Sequence, residues 1–135
     1  MTFVERFHLQ IAALEGGEPL RAFDEFTADN LVMYDNDVVF AATKAEGRVK
    51  QLPFFEAALS ISGRIEKVAM REDADDPTSG IAVFLNRSSF VTGHDKSVQI
   101  DGLVWQRWQD SAVIEERYYR DDLKAQKIEA GILSL

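Results

Sequence analysis

The second half of the chain is what most restricts its fold. Four runs of strand character follow one another: Arg64 to Asp73, Ile81 to Thr92, Ser97 to Gln109 and Val113 to Asp121. The segments DADDPTSG, GHDK and DSA between them carry turn chemistry. Each run is longer than the usual strand of about five or six residues. Successive strands joined by short turns pair antiparallel, and long antiparallel strands must twist and curl. Gly102, inside the third run, is the expected bulge site.

The first half has a different period. In TFVERFHLQIAALEGG, the residues Phe3, Phe7, Ile11 and Leu14 recur at helical spacing and form one apolar stripe. Thr2 and Glu5 fit a capping box, and Gly16 and Gly17 end the helix. EPLRAFDEF predicts a shorter helix with Pro19 in its first turn and Leu20 and Phe23 facing inward. A strand at Leu31 to Asp35, a turn near Asn36 and Asp37 and a strand at Val38 to Ala42 follow. EGRVKQLPFFEAALSISG returns to helix, where Pro53 either opens or kinks it and Phe54, Ala57 and Ala58 pack inward. LKAQKIEAGILSL is expected to form a last short helix. Helices first and a strand meander second make an α+β pattern. The expected architecture is a cone: three N-terminal helices on a strongly curved, mainly antiparallel sheet, enclosing one pocket.

At 135 residues the chain is expected to be one domain, residues 1–135, with nine phenylalanines as bulky core material. Its formal charge of -8 argues against nucleic acid and anionic membranes as partners, since both need basic footprints. Without cysteine it has no disulfide or thiolate chemistry. Glu5, Arg6 and His8 interrupt the N-terminus, so no secretory signal is expected, and no run approaches the roughly 20 apolar residues of a membrane span. A cytoplasmic location is the resulting expectation. His8 lies on the first helix beside its apolar stripe as a surface or boundary residue, His94 falls at a loop tip, and neither has metal-ligand spacing, so no metal is expected. Gly-rich phosphate loops and nucleophilic-serine elbows are missing.

AALEGGEPLRAFDEFTADNLVMYDN resembles the opening of the nuclear transport factor 2-like superfamily, as does Gly47-Arg48 leading into a helix with Phe54 and Phe55. The final hairpin, with its W-x-D…V-I-E-E-R-Y-Y-x-D pattern, resembles the SnoaL-like branch, which includes polyketide cyclases. Its neighbours include ketosteroid isomerases and limonene epoxide hydrolases. The family's hairpin turn is usually Asp-Gly followed by Lys or Arg. Here it is Asp110-Ser111-Ala112, so a different turn is expected.

The resemblance implies a test for isomerase chemistry. That mechanism uses a carboxylate base, with a tyrosine and a protonated acid holding the oxyanion in an apolar pocket. The base position falls on Asp35 if one residue is inserted before it, and otherwise on Tyr34. The tyrosine position falls on Gln10 and the protonated-acid position on Val104. Asp101 lies three residues from Val104, an odd offset that points to the other face unless a bulge intervenes. Ketosteroid isomerase chemistry is therefore not expected. Limonene-type epoxide hydrolysis would need two acids bracketing an arginine, and no second acid is clear beside Glu116 and Arg120.

In the last hairpin, Val104, Gln106, Trp108, Ile114, Glu116, Tyr118 and Arg120 are expected to face the pocket. Leu103, Trp105, Arg107, Glu115, Arg117 and Tyr119 are expected to face out. Trp105 and Tyr119 among arginines suit a homodimer interface on the sheet face. Two readings of Asp35 stay open, pocket base or turn residue beside Asn36 and Asp37. Glu116 and Arg120 are either a pocket acid with its partner or a solvated cross-strand ion pair.

The function expected is that of a SnoaL-like small-molecule enzyme without cofactor, of isomerase or cyclase type, acting on an apolar cyclic or polyketide-like ligand. Asp35 and Glu116 are the candidate catalytic groups, with Tyr118 and Gln106 orienting the ligand and Trp108 and Met33 as apolar wall. Gln10, Tyr34, Phe54, Val104 and Arg120 complete the expected pocket. The alternative is a non-catalytic ligand-binding or dimeric scaffold domain of the same fold.

Overall fold

The computed structural model describes residues 1–93 and 96–120. The proposed last helix, the end of the fourth strand run at Asp121 and the placement of His94 lie outside the described residues. Among the described residues, three helices, α1 (Phe3–Glu15), α2 (Pro19–Phe26) and α3 (Lys44–Ala57), alternate with and precede nine strands. β1 (Thr27–Asp35) and β2 (Val38–Ala41) separate α2 from α3. After α3 come β3 (Ala58–Ser62), β4 (Ile65–Asp73), β5 (Asp76–Asn86), β6 (Ser89–Thr92), β7 (Ser97–Gln99), β8 (Gly102–Gln109) and β9 (Ala112–Tyr119). No helix among the described residues is long and apolar enough to cross a membrane.

The helix starts follow local chemistry. Thr2 accepts the Glu5 backbone N–H at 3.2 Å, and Thr43 accepts that of Glu46 at 3.1 Å. Pro19 opens α2, whereas Pro53 lies inside α3. Gly47 lets α3 lie directly on β1, because a β-carbon there would sit 2.8 Å from the Met33 sulfur.

The strands divide into two sheets. Six run in the order β2-β1-β9-β8-β5-β4 and three in the order β3-β6-β7. All pairings are antiparallel except β1 with β9, so the large sheet is mixed. The two longest expected strands each break. The run from Ile81 to Thr92 leaves the large sheet after Asn86, whose side-chain oxygen takes both the Ser88 backbone N–H at 3.1 Å and its hydroxyl at 2.6 Å. Ser97 to Gln109 likewise breaks at Ile100 and Asp101. The distal pieces fold over as the small sheet, joined by β3, which the sequence reading had placed in the helix. The break therefore does what Gly102 was expected to do, and Gly102 itself is regularly paired with Asn86.

Two turns also differ from expectation. DADDPTSG is no loop: β4 and β5 pair from Asp73 to Asp76, with Asp75 at φ 63°. Asp110 and Ser111 both adopt positive φ, 51° and 61°, between the paired Gln109 and Ala112. That is the two-residue hairpin turn glycine favours, built here without glycine. Ser111 is tied in place by its N–H to the Thr78 carbonyl at 2.8 Å and by the Arg6 Nε donating to its carbonyl at 2.8 Å.

The core lies between α1, α2 and the concave face of the large sheet. Trp108 is fully buried against Phe3 and Phe7, with ring centroids 5.5 and 6.2 Å away, and Phe84 meets Phe7 at 5.9 Å. On the convex face Val83, Leu103 and Tyr119 form a smaller buried cluster with Ile81, Leu85 and Trp105.

Candidate functional site

A cavity of about 660 Å³ opens where α2, α3, the concave face of the large sheet and the small sheet meet. That size suits a compact organic ligand. Its walls are mainly aromatic and aliphatic. Phe54 and Phe55 at the end of α3 pack on Phe90 of β6, at 4.8 and 6.4 Å between centroids. Phe23 and Phe40 add two more rings. The folded-over small sheet thus supplies a wall that a flat meander could not. A shallower depression near Met1, Arg6 and Thr78 is crossed by structural hydrogen bonds of Arg6 and Ser111 and presents no candidate chemistry.

The polar groups at the cavity fall into two kinds. Those on the rim are paired. Arg120 Nη2 donates to Asp35 Oδ2 at 3.1 Å, Arg87 pairs with Asp101, and Lys50 pairs with Glu46 at 3.1 Å. Glu116 is of the other kind. Its carboxyl has no ion-pair partner among the described residues and takes one hydrogen bond, from Gln106 Nε2 to Oε2 at 2.8 Å. Glu116 keeps some accessible surface because it lines the cavity, yet protein surrounds the carboxyl. Burial therefore raises its pKa, and the Gln106 hydrogen bond only partly opposes this. Behind it, Trp108 Nε1 donates to Gln106 Oε1 at 3.0 Å, with both side chains almost wholly buried.

Tyr118 stands between the two kinds. Burial raises its pKa against the lowering effect of a hydrogen bond from the Asp101 backbone, so the phenol stays protonated at neutral pH. Its ring fits because Gly102 has no side chain. A β-carbon there would lie 2.7 Å from two Tyr118 ring carbons and 2.6 Å from the Tyr119 carbonyl oxygen.

No protein-family profile matches the sequence, and no curated protein matches it. Solved structures do match. A proposed SnoaL-like polyketide cyclase from Jannaschia sp. CCS1 superposes with a TM-score of 0.65 at 16% identity, over 96% of this chain and 90% of that one. The chain has the SnoaL-like fold. AclR, a proposed hydroxylase from Streptomyces galilaeus, gives a TM-score of 0.66 at 14% identity, over 87% of this chain and 79% of that one. TerC, crystallised with polyporic acid, gives 0.62 at 7% identity, over 93% of this chain and 95% of that one. Identities this low establish a shared architecture and leave activity to the site itself.

Within the SnoaL-like fold, Asp35, Glu116, Met33 and Tyr34 line the cavity, as do Phe54, Val104, Tyr118 and Arg120. Asp35 is a strand residue paired with Val38, and Asn36 and Asp37, at φ 48° and 68°, make the turn. The expected Glu116–Arg120 pair does not form, since Arg120 reaches Asp35 instead. Gln106 and Trp108 share the face of Val104 but lie deeper, under α1, so neither touches the cavity. Gln10 is also buried away from it, and among the described residues its Oε1 has no hydrogen-bond partner. A bulge leaves Ile114 unpaired, between the Arg107–Glu115 and Trp108–Val113 pairs. Val113, not Ile114, therefore joins the core. Asp101 does reach the cavity, because the strand breaks before Gly102. On the convex face Tyr119 is already 3% exposed within one chain, and its hydroxyl donates to Asp37 at 2.6 Å, which leaves Trp105 as the more available aromatic.

Proposed function

We propose that this chain binds an apolar, ring-containing small molecule and moves a proton on it without a cofactor, with Glu116 as the acid/base. The observation that carries the proposal is a largely enclosed carboxyl lining an aromatic cavity, with no ion-pair partner among the described residues. A carboxyl whose pKa is raised by burial holds its proton longer than an exposed one and is suited to donate and to accept it within one cycle. It gives its proton to a carbonyl oxygen as the enol forms, and as carboxylate it takes one from carbon. The net result is isomerisation or, where the enol attacks a second carbonyl of the same molecule, ring closure. Tyr118 is placed to hydrogen-bond the ligand oxygen, and Asp35 with Arg120 closes the rim. TerC, of the same architecture, was co-crystallised with polyporic acid, which supports a small organic ligand for a cavity of this fold. The test is a thermal-shift panel of planar phenols, quinones and polyketide aromatics on wild type, Glu116→Gln and Asp35→Asn. A ligand that binds the folded state raises its melting temperature. The proposal expects hits on wild type whose pH dependence disappears in Glu116→Gln and persists in Asp35→Asn. Hits with identical pH dependence in wild type and Glu116→Gln would refute it.

A further inference from the structure

The hydrogen bonds behind Glu116 impose a direction. An indole N–H only donates, so Trp108 selects the carbonyl end of the Gln106 amide, at 3.0 Å. Trp108 cannot turn away, because Phe3 and Phe7 pack on it and it is fully buried. The Gln106 NH2 group is then left facing Glu116 Oε2, at 2.8 Å. Oε2 is thereby held as an acceptor. Among the described residues no group hydrogen-bonds Oε1. We infer that Gln106, locked by Trp108, is a positioning residue that keeps one Glu116 oxygen occupied and presents the other, with its proton, to the ligand.

The inference rests on the reading of Glu116 as the pocket acid. Without the lock, the amide would turn its carbonyl to Glu116 and accept the acid's proton itself, leaving none for a ligand. The other titratable groups at the cavity are Tyr34 and Asp35 on β1, Lys50 on α3, Asp101 before β8, and Tyr118 and Arg120 at the end of β9. None of them hydrogen-bonds or ion-pairs with Glu116.

The test is a carbon-13 NMR titration of the glutamate side-chain carboxyls without ligand, with Glu116→Gln identifying the Glu116 signal. Trp108→Phe removes the N–H and frees the amide, and Gln106→Leu removes the amide. Both should move the Glu116 midpoint up by about one pH unit, the scale of a lost hydrogen bond to a charged group. Phe3→Leu trims the same aromatic cluster and keeps the N–H. It should lower thermal stability and leave the Glu116 midpoint in place. Unmoved midpoints in both Trp108→Phe and Gln106→Leu overturn the inference. So does a Phe3→Leu midpoint that moves as far as theirs, because packing would then be the cause. If Trp108→Phe does not fold, Gln106→Leu against Phe3→Leu decides. A wild-type midpoint in the ordinary carboxylate range would sink the proposed function, while the ordering of the variants would still read the lock separately.

Discussion

Replacing Glu116 by glutamine should remove a specific pH dependence from the stability of this protein. The folded pKa of Glu116 is raised, chiefly by burial, so the folded state holds this proton at a pH where the unfolded chain has lost it. The contribution is fully present below the unfolded pKa of about 4.3. It falls away as pH rises and is gone above the folded pKa. Each pH unit by which the folded carboxyl titrates above its unfolded value corresponds to about 1.4 kcal/mol. For a domain of this length, about 1 kcal/mol is about 4 °C in melting temperature. Wild type should therefore lose about 5 °C per such unit relative to Glu116→Gln between pH 4 and 8. Two other carboxylates act in the opposite sense. Glu46, lowered first by its Lys50 hydrogen bond, and Asp76, lowered first by the Thr78 hydroxyl, favour folding at higher pH, and both are common to the two proteins. The difference between the two melting curves isolates Glu116. The assay is circular-dichroism melting in half-unit pH steps. Parallel profiles would refute the claim that Glu116 is desolvated and unpaired.

Three further outcomes can be measured. Gly102→Ala should cost about 1–3 kcal/mol, because its β-carbon would overlap the Tyr118 ring and the Tyr119 carbonyl, and denaturant unfolding measures this directly. Asp35→Asn should change stability by less than about 1 kcal/mol, since its pair with Arg120 is largely exposed, with side chains 39% and 67% accessible. An Asp35→Asn protein that also loses all ligand response would make Asp35 the catalytic base after all. Two copies are expected to associate through the convex face, so light scattering at micromolar concentration should give twice the chain mass, and Trp105→Lys should return it to one. A monomeric wild type would end that expectation.

The first helix was legible because Phe3, Phe7 and Ile11 repeat at the helical period and its Thr2 cap is local, whereas α3 buries only Gly47 and its expected last turn is strand β3. Strand interruptions were harder to see. Asn86 to Ser88 carries turn-forming side chains, and the Asn86–Ser88 hydrogen bonds show that this polar step was the signal for the sheet change. The bulge at Ile114 has no glycine or proline to announce it, so simple alternation assigned the wrong residue to the core. Alternation also reports which face a side chain takes but not how deep it lies. Val104, Gln106 and Trp108 share one face of β8, yet only Val104 lies beyond the cover of α1 and meets the cavity. Glu116 was visible as a candidate. Its isolation from Arg120 depends on where β1 ends, two strands of pairing that no local pattern encodes.

The most direct measurement is the ionisation of Glu116 itself, read from its side-chain carbon-13 shift across pH in the unliganded protein. The account expects one glutamate signal, missing in Glu116→Gln, that titrates well above the ordinary carboxylate range. A Glu116 signal that titrates with the surface glutamates would mean that water or a cation reaches the carboxyl, and the proposed acid/base role would fall with it.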